Sequence, residues 1–98
     1  MVSLRDKIVL VTGGSRGLGR DIALAFDGEG SKVVINYRSS HEAARDVFSE
    51  LSYGLGIVKC DVSKDEKVRA MMQHVKEAYS PIDVVVNNAG WTQAVAHD

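Results

Sequence analysis

Thr12-Gly13-Gly14-Ser15-Arg16-Gly17-Leu18-Gly19 stands between an apolar run, Ile8-Val9-Leu10-Val11, and a stretch with helical spacing. Strand, glycine loop and helix in that order make a cradle for phosphate, and such a loop is built to hold a dinucleotide. Glycine lets the backbone turn sharply and approach a pyrophosphate with no side chain between them. The helix that follows aims free N–H groups and the positive end of its dipole at the anion. Gly13, Gly17 and Gly19 are the positions this geometry needs. A glycine-rich loop alone is weak evidence, because ordinary turns and helix caps also collect glycine. Its meaning depends on its surroundings.

Outward from the loop, apolar runs alternate with helix-period segments, without internal repeats, low-complexity tracts or a linker. Strand one reads as Lys7 to Val11; after the loop, Leu18, Ile22, Ala25 and Phe26 recur at helical spacing until Gly28 and Gly30 end the helix. Strand two reads as Lys32 to Tyr37. Ser39 and Glu42 then have capping-box spacing ahead of the stripe Ala44, Val47, Phe48 and Leu51. Strand three reads as Gly56 to Cys60. Ser63 and Glu66 repeat the capping signal before a helix with Val68, Met71, Met72 and Val75 on its apolar face, ending near Tyr79, before Pro81. Strand four, Ile82 to Val86, is nearly continuous in Val and Ile, the pattern of a parallel strand covered on both faces.

The order βαβαβαβ predicts a doubly wound parallel α/β sheet forming a single domain over residues 1–98. In such a sheet, ligands sit at the carboxyl ends of the strands near the point where strand order reverses. Every unusual residue falls on that rim. The glycine loop follows strand one, Tyr37-Arg38-Ser39-Ser40 strand two, Asp61-Val62 strand three and Asn87-Asn88-Ala89-Gly90 strand four.

Composition narrows the function classes. A net charge of −1 leaves no basic footprint for nucleic acid or anionic lipid. Cys60 is the only cysteine, so no intramolecular disulfide forms, and His41, His74 and His97 lack metal-ligand spacing. Arg5, Asp6 and Lys7 precede only a short apolar run, which has neither signal-peptide organisation nor the length of a membrane span. A cytoplasmic protein without nucleic-acid, membrane or metal partners is expected. Cys60 reads as a buried strand residue, Met71 and Met72 as core, and His74 as a partly exposed helix residue.

The spacing Thr12-Gly13-x-x-x-Gly17-x-Gly19, taken with Asn87-Asn88-Ala89-Gly90, resembles the short-chain dehydrogenase/reductase family. Asp61-Val62 and Ile82-Asp83 match the family pattern between these signatures, so the resemblance covers essentially the whole chain. The run Thr12 to Gly19, the stretch Val33-Val34-Ile35-Asn36-Tyr37 and the Asn-Asn-Ala-Gly segment are most similar to 3-oxoacyl-acyl-carrier-protein reductases. Members with other substrates share these stretches. The resemblance implies a Rossmann fold and cofactor-binding roles for Thr12, Gly13, Ser15, Arg16, Gly17, Leu18 and Gly19. It implies that Asp61 meets the adenine amino group, with the backbone of Val62 beside it; Asp61 also fits as the lead into a cap at Ser63, and the two roles are compatible. Asn87 and Asn88 read either as a clamp at the end of strand four or as an ordinary turn. In the first case, Ala89 and Gly90 leave room for the cofactor to pass. Trp91 either covers the nicotinamide side of the cleft or caps an exposed edge.

Cofactor type follows from charge. Proteins that select an unphosphorylated ribose usually place an acid at the end of strand two. Here Tyr37, Arg38 and Ser39 occupy that place, with no carboxylate between Ile35 and Ser40. Nothing there repels a 2′-phosphate, and the planar guanidinium of Arg38 suits it, with Ser39, Ser40 and Arg16 as further donors. NADP (NADPH) is therefore expected over NAD, although either arginine taken alone also reads as a solvated surface residue.

The family's catalytic Ser and Tyr-x-x-x-Lys match no position. Tyr37, Tyr53 and Tyr79 are followed at that spacing by His41, Ile57 and Asp83. The expectation is the NADP(H)-binding part of a reductase acting on a ketone or 3-oxoacyl thioester, truncated at its C-terminal end and inactive alone, with strand four left at an edge. The resemblance implies a homo-oligomer for the full-length form. A non-catalytic nucleotide-binding module or an inactive truncated product is the alternative. A P-loop enzyme lacks support because no Gly-Lys-Ser/Thr follows the loop, and a methyltransferase because no acid follows strand two.

Overall fold

The computed structural model describes residues 3–88. Seven elements alternate along the chain: β1 (Ile8–Val11), α1 (Gly17–Gly28), β2 (Lys32–Tyr37), α2 (His41–Glu50), β3 (Gly54–Lys59), α3 (Asp65–Ala78) and β4 (Val84–Val86). All strand pairs are parallel, in the order β3-β2-β1-β4. The chain therefore winds outward from β1 in one direction and returns to its other side for β4. The strand order reverses between β1 and β4, and this is the switch point of the doubly wound α/β class.

Two hydrophobic layers hold the sheet. Val9, Val11, Val33 and Ile35 face Ala23 and Val47, with Ile22, Phe26, Phe48 and Leu51 packed around them, so α1 and α2 share one face. Leu10 and Val34 face Met71 and Val75 of α3 across the other. Because strand side chains alternate, the unbroken apolar runs of β1 and β2 are what a sheet covered on both sides requires.

Several elements differ from the sequence expectation. Leu18 and Ala25 share the outer face of α1 and are exposed; the buried face runs through Gly19, Ala23 and Asp27. An apolar-periodicity reading passes over that face because a glycine and an acid mark it. The Asp27 carboxylate accepts from the N–H groups of Ser52 and Tyr53 at 2.9 and 2.7 Å, which accounts for its burial. The end of α1 agrees with expectation: Gly30 has φ +86°, and the N–H groups of Gly30 and Ser31 close back on Asp27 and Phe26.

The caps also differ. Ser40, not Ser39, caps α2, its Oγ accepting from Ala43 N–H at 3.2 Å. Lys64, not Ser63, precedes α3, because Ser63 is drawn into a turn in which both its N–H and its hydroxyl donate to Asp61. β3 begins at Gly54 rather than Gly56, since an irregularity beside Val33/Val34 admits Leu55 as an extra residue. Cys60 is buried just past the last residue of β3, with its N–H still donating to Tyr37 O. β4 is shorter than expected. All three of its valines are only half-buried rather than covered on both faces, and among the described residues β4 lies at the sheet edge.

Candidate cofactor site

The carboxyl ends of the four strands bring the glycine loop, residues 37–40, residues 61–62 and residues 87–88 to one rim. The loop itself is built from its glycines. Gly13 and Gly17 have φ +64° and +52°, the left-handed region that glycine enters at least cost. Gly19 is needed for a different reason: a Cβ there would overlap the carbonyl oxygen of Gly13 and the side-chain nitrogen of Asn88. α1 can thus press directly against the end of β1. At Gly17, by contrast, a Cβ would meet nothing within 4 Å. Contact between backbones excludes a side chain at Gly19, while Gly17 borders open space.

Beneath the loop, β1 is tied to β4. Thr12 is fully buried; its hydroxyl donates to Val86 O at 3.1 Å and accepts from Asn88 N–H at 2.9 Å. The Asn88 side chain donates to Gly13 O at 3.3 Å. Asn88 therefore does clamp the end of strand four, and the Thr12 hydroxyl and the Asn88 Nδ2 are engaged with protein. Ala89, Gly90 and Trp91 lie outside the described residues.

The first turn of α1 is open. Arg16 precedes it without a side-chain cap, and the turn holds no acid, whereas α2 has Glu42 and α3 has Asp65 and Glu66 in theirs. Arg16, Gly17 and Leu18 are exposed, and Ser15 is half-buried. The N–H groups of such a turn have no partners within the helix. Together with the space at Gly17 they form a cradle that fits an anion.

At the end of β2 the Tyr37 ring is buried and meets the His41 ring edge-on, with centroids 5.7 Å apart. Arg38 and Ser39 are exposed, and neither they nor Ser40 and His41 bring a carboxylate there. After β3, Asp61 accepts from Ser63 Oγ at 2.7 Å and from Ser63 N–H at 3.0 Å. These bonds hold its carboxyl below the usual range, and the Arg38 charge adds a smaller pull in the same direction. Val62 packs into the layer under α3, and burial pushes the neighbouring Cys60 thiol up.

Asn36 is the site residue that motif reading did not single out. It is a polar residue directly after the apolar run Val33-Val34-Ile35, 2% exposed, and its side chain reaches both the glycine loop and the end of β3. An amide interrupting Val33-Val34-Ile35 was the available signal, since a buried polar group must find partners.

A doubly wound parallel sheet with an open helix N-terminus at its switch point defines the Rossmann class of α/β proteins. Residues 7–98 match the model of the short chain dehydrogenase family, and the chain belongs to that family. It is 39% identical over 100 residues to a short-chain type dehydrogenase/reductase of Picea abies, covering 93% of this chain and 37% of that protein. It is 42% identical over 90 residues to 3beta-hydroxysteroid dehydrogenase 1 of Eggerthella lenta, covering 89% and 34%. The chain thus spans well under half the length of either relative. A crystal structure of a short chain dehydrogenase from Burkholderia cenocepacia J2315 in complex with NADP matches with a TM-score of 0.83 at 34% identity, over 97% of this chain and 40% of that one. Among the described residues no helix is long and apolar enough to cross a membrane, and no cluster of His, Cys, Asp and Glu could hold a metal ion.

Proposed function

We propose that this chain is the NADP(H)-binding part of a short-chain dehydrogenase/reductase that reduces a ketone or a 3-oxoacyl thioester. The observation that carries this reading is the rim at the end of β2. An exposed Arg38 and Ser39 stand there, on the same rim as the first turn of α1, with no carboxylate among residues 36–41. A ribose hydroxyl finds no acceptor of the usual kind, while a 2′-phosphate finds a guanidinium fork and a hydroxyl. Arg16, exposed where α1 begins, adds a second positive charge. The N–H groups of Gly17, Leu18 and Gly19 hold the pyrophosphate, Gly13 and Ser15 shape its loop, and Asp61 and Val62 receive the adenine. Thr12 and Asn88 support the floor. When bound, the dinucleotide supplies or accepts the hydride, and the residues of this chain bind and orient it.

The substrate class rests on the resemblance to 3-oxoacyl-acyl-carrier-protein reductases; a named steroid dehydrogenase among the relatives is a further case of carbonyl and secondary-alcohol chemistry. A cytoplasmic location and a homo-oligomeric complete form belong to the same reading. Fluorescence titration of the protein with NADPH and NADH tests the cofactor assignment. Unaltered protein is expected to prefer NADPH, and Arg38→Asp to lose about tenfold or more of that preference by exchanging an attractive charge for a repulsive one. An unchanged preference in the folded variant overturns it.

A further inference from the structure

We propose that Asn36 is the positioning residue of the cofactor cradle, its one buried amide holding the glycine loop and the ends of β2 and β3 in a single arrangement. This rests on the NADP(H) reading above. The side chain is used on both sides: Oδ1 accepts from Gly13 N–H at 3.3 Å, and Nδ2 donates to the carbonyl oxygens of Val58 and Cys60 at 3.3 and 3.2 Å. The main-chain oxygen of the same residue accepts from Gly14 N–H at 3.1 Å. Two successive N–H groups of the loop are thereby turned into the protein. Those of Gly17, Leu18 and Gly19, which have no partner within α1, are the ones left for an anion. The donor side fixes the Cys60 carbonyl, one residue before Asp61. One amide thus joins the pyrophosphate loop to the strand end that carries Arg38 and to the turn that carries Asp61.

The chemistry requires an amide because acceptor and donor are needed on opposite sides. A carboxylate of the same shape keeps the acceptor for Gly13 and loses both donors. It then faces the Val58 and Cys60 carbonyl oxygens and repels them until it takes up a proton. Asn36→Asp therefore converts the positioning role into a pH-dependent one. The other titratable or charged side chains at this end of the sheet are Arg16 beside the loop, Tyr37, Arg38 and His41 at the end of β2, Lys59 at the end of β3, Cys60 and Asp61 after it, and Lys64 and Lys67 where α3 begins; the described end of β4 brings only asparagines. All are common to both proteins, so the ratio of their affinities isolates position 36.

The test titrates NADPH into unaltered protein and Asn36→Asp from pH 5.5 to 8.5, with far-ultraviolet circular dichroism confirming the fold at each pH. The variant is expected to bind about tenfold or more weakly at pH 8, with the gap closing as the pH falls. A folded variant with unaltered affinity, or a loss that does not vary with pH, overturns the proposal. Amide exchange of Gly13 and Gly14 in the unaltered, cofactor-free protein provides a second measurement should the variant not fold. Exchange as slow as in β1 supports the role; fast exchange overturns it. Failure of the unaltered protein to bind NADPH overturns the cofactor reading itself, so the two failures are distinct.

Discussion

Gly19 and Gly28 lie in the same helix, yet a methyl group added to each has opposite consequences. At Gly19 the methyl would overlap the Gly13 carbonyl and the Asn88 amide, so α1 must move away from the end of β1. Gly19→Ala is expected to lower stability by about 3 kcal/mol, read as a shift in urea midpoint, and to weaken NADPH binding with it. Gly28 meets nothing within 4 Å and keeps ordinary helical backbone. Gly28→Ala should therefore be neutral or stabilise by up to about 0.5 kcal/mol in the same measurement. Asp61 provides a pH signature at this scale. Its folded carboxyl lies below the usual range because Ser63 donates twice to it. The stabilisation is thus complete above the ordinary carboxylate range and is lost as pH falls through the lowered value. In Ser63→Ala the hydroxyl bond is gone, and an NMR titration should show the Asp61 carboxyl moving up towards its ordinary range.

Helix ends and strand starts carry the next set of consequences. Ser40 accepts from Ala43 N–H, whereas Ser39 is exposed and does not cap α2. Ser40→Ala should cost about 1 kcal/mol of stability and Ser39→Ala close to nothing; equal losses in thermal denaturation would contradict this placement of the cap. α1 is joined to the start of β3 through Asp27, whose two oxygens take the N–H groups of Ser52 and Tyr53. An amide keeps only one acceptor oxygen, so Asp27→Asn is expected to lose about 2 kcal/mol in urea denaturation. Both features escape a reading by residue type. Ser39 and Ser40 are chemically alike, and which one caps depends on where β2 releases the chain. Asp27 is an acid on a helix, and only the approach of residues 52–53 makes it a buried partner.

Across the whole molecule, protection should follow strand order. The central strands β1 and β2 are almost wholly buried, while β3 and β4 are partly exposed edges among the described residues. Hydrogen exchange monitored by NMR is expected to leave the amides of residues 9–11 and 33–35 protected longest, with those of β4 exchanging first. Uniform protection over all four strands would contradict a stability centred on β1 and β2. The same gradient places the cradle on the most stable part of the sheet: Thr12 directly follows β1 and Asn36 lies within β2, and both are buried.

The sequence by itself determined the class of fold, the parallel sheet and the four loops of the rim. These depend on local properties: unbroken β-branched runs, helical periodicity and glycine at fixed spacing declare themselves without knowledge of distant residues. It also determined the charge at the end of β2, because an absent carboxylate is visible in any conformation. Only the tertiary structure decided which face of α1 is buried, which serine caps α2, where β3 starts and what Asn36 does. Each of these depends on groups far apart in sequence that meet only once the sheet has assembled. Asn36 shows the reason most plainly, since its partners lie 23 residues before it and 22 and 24 residues after it. A lone amide in a strand announces that partners must exist; only the packed sheet supplies them.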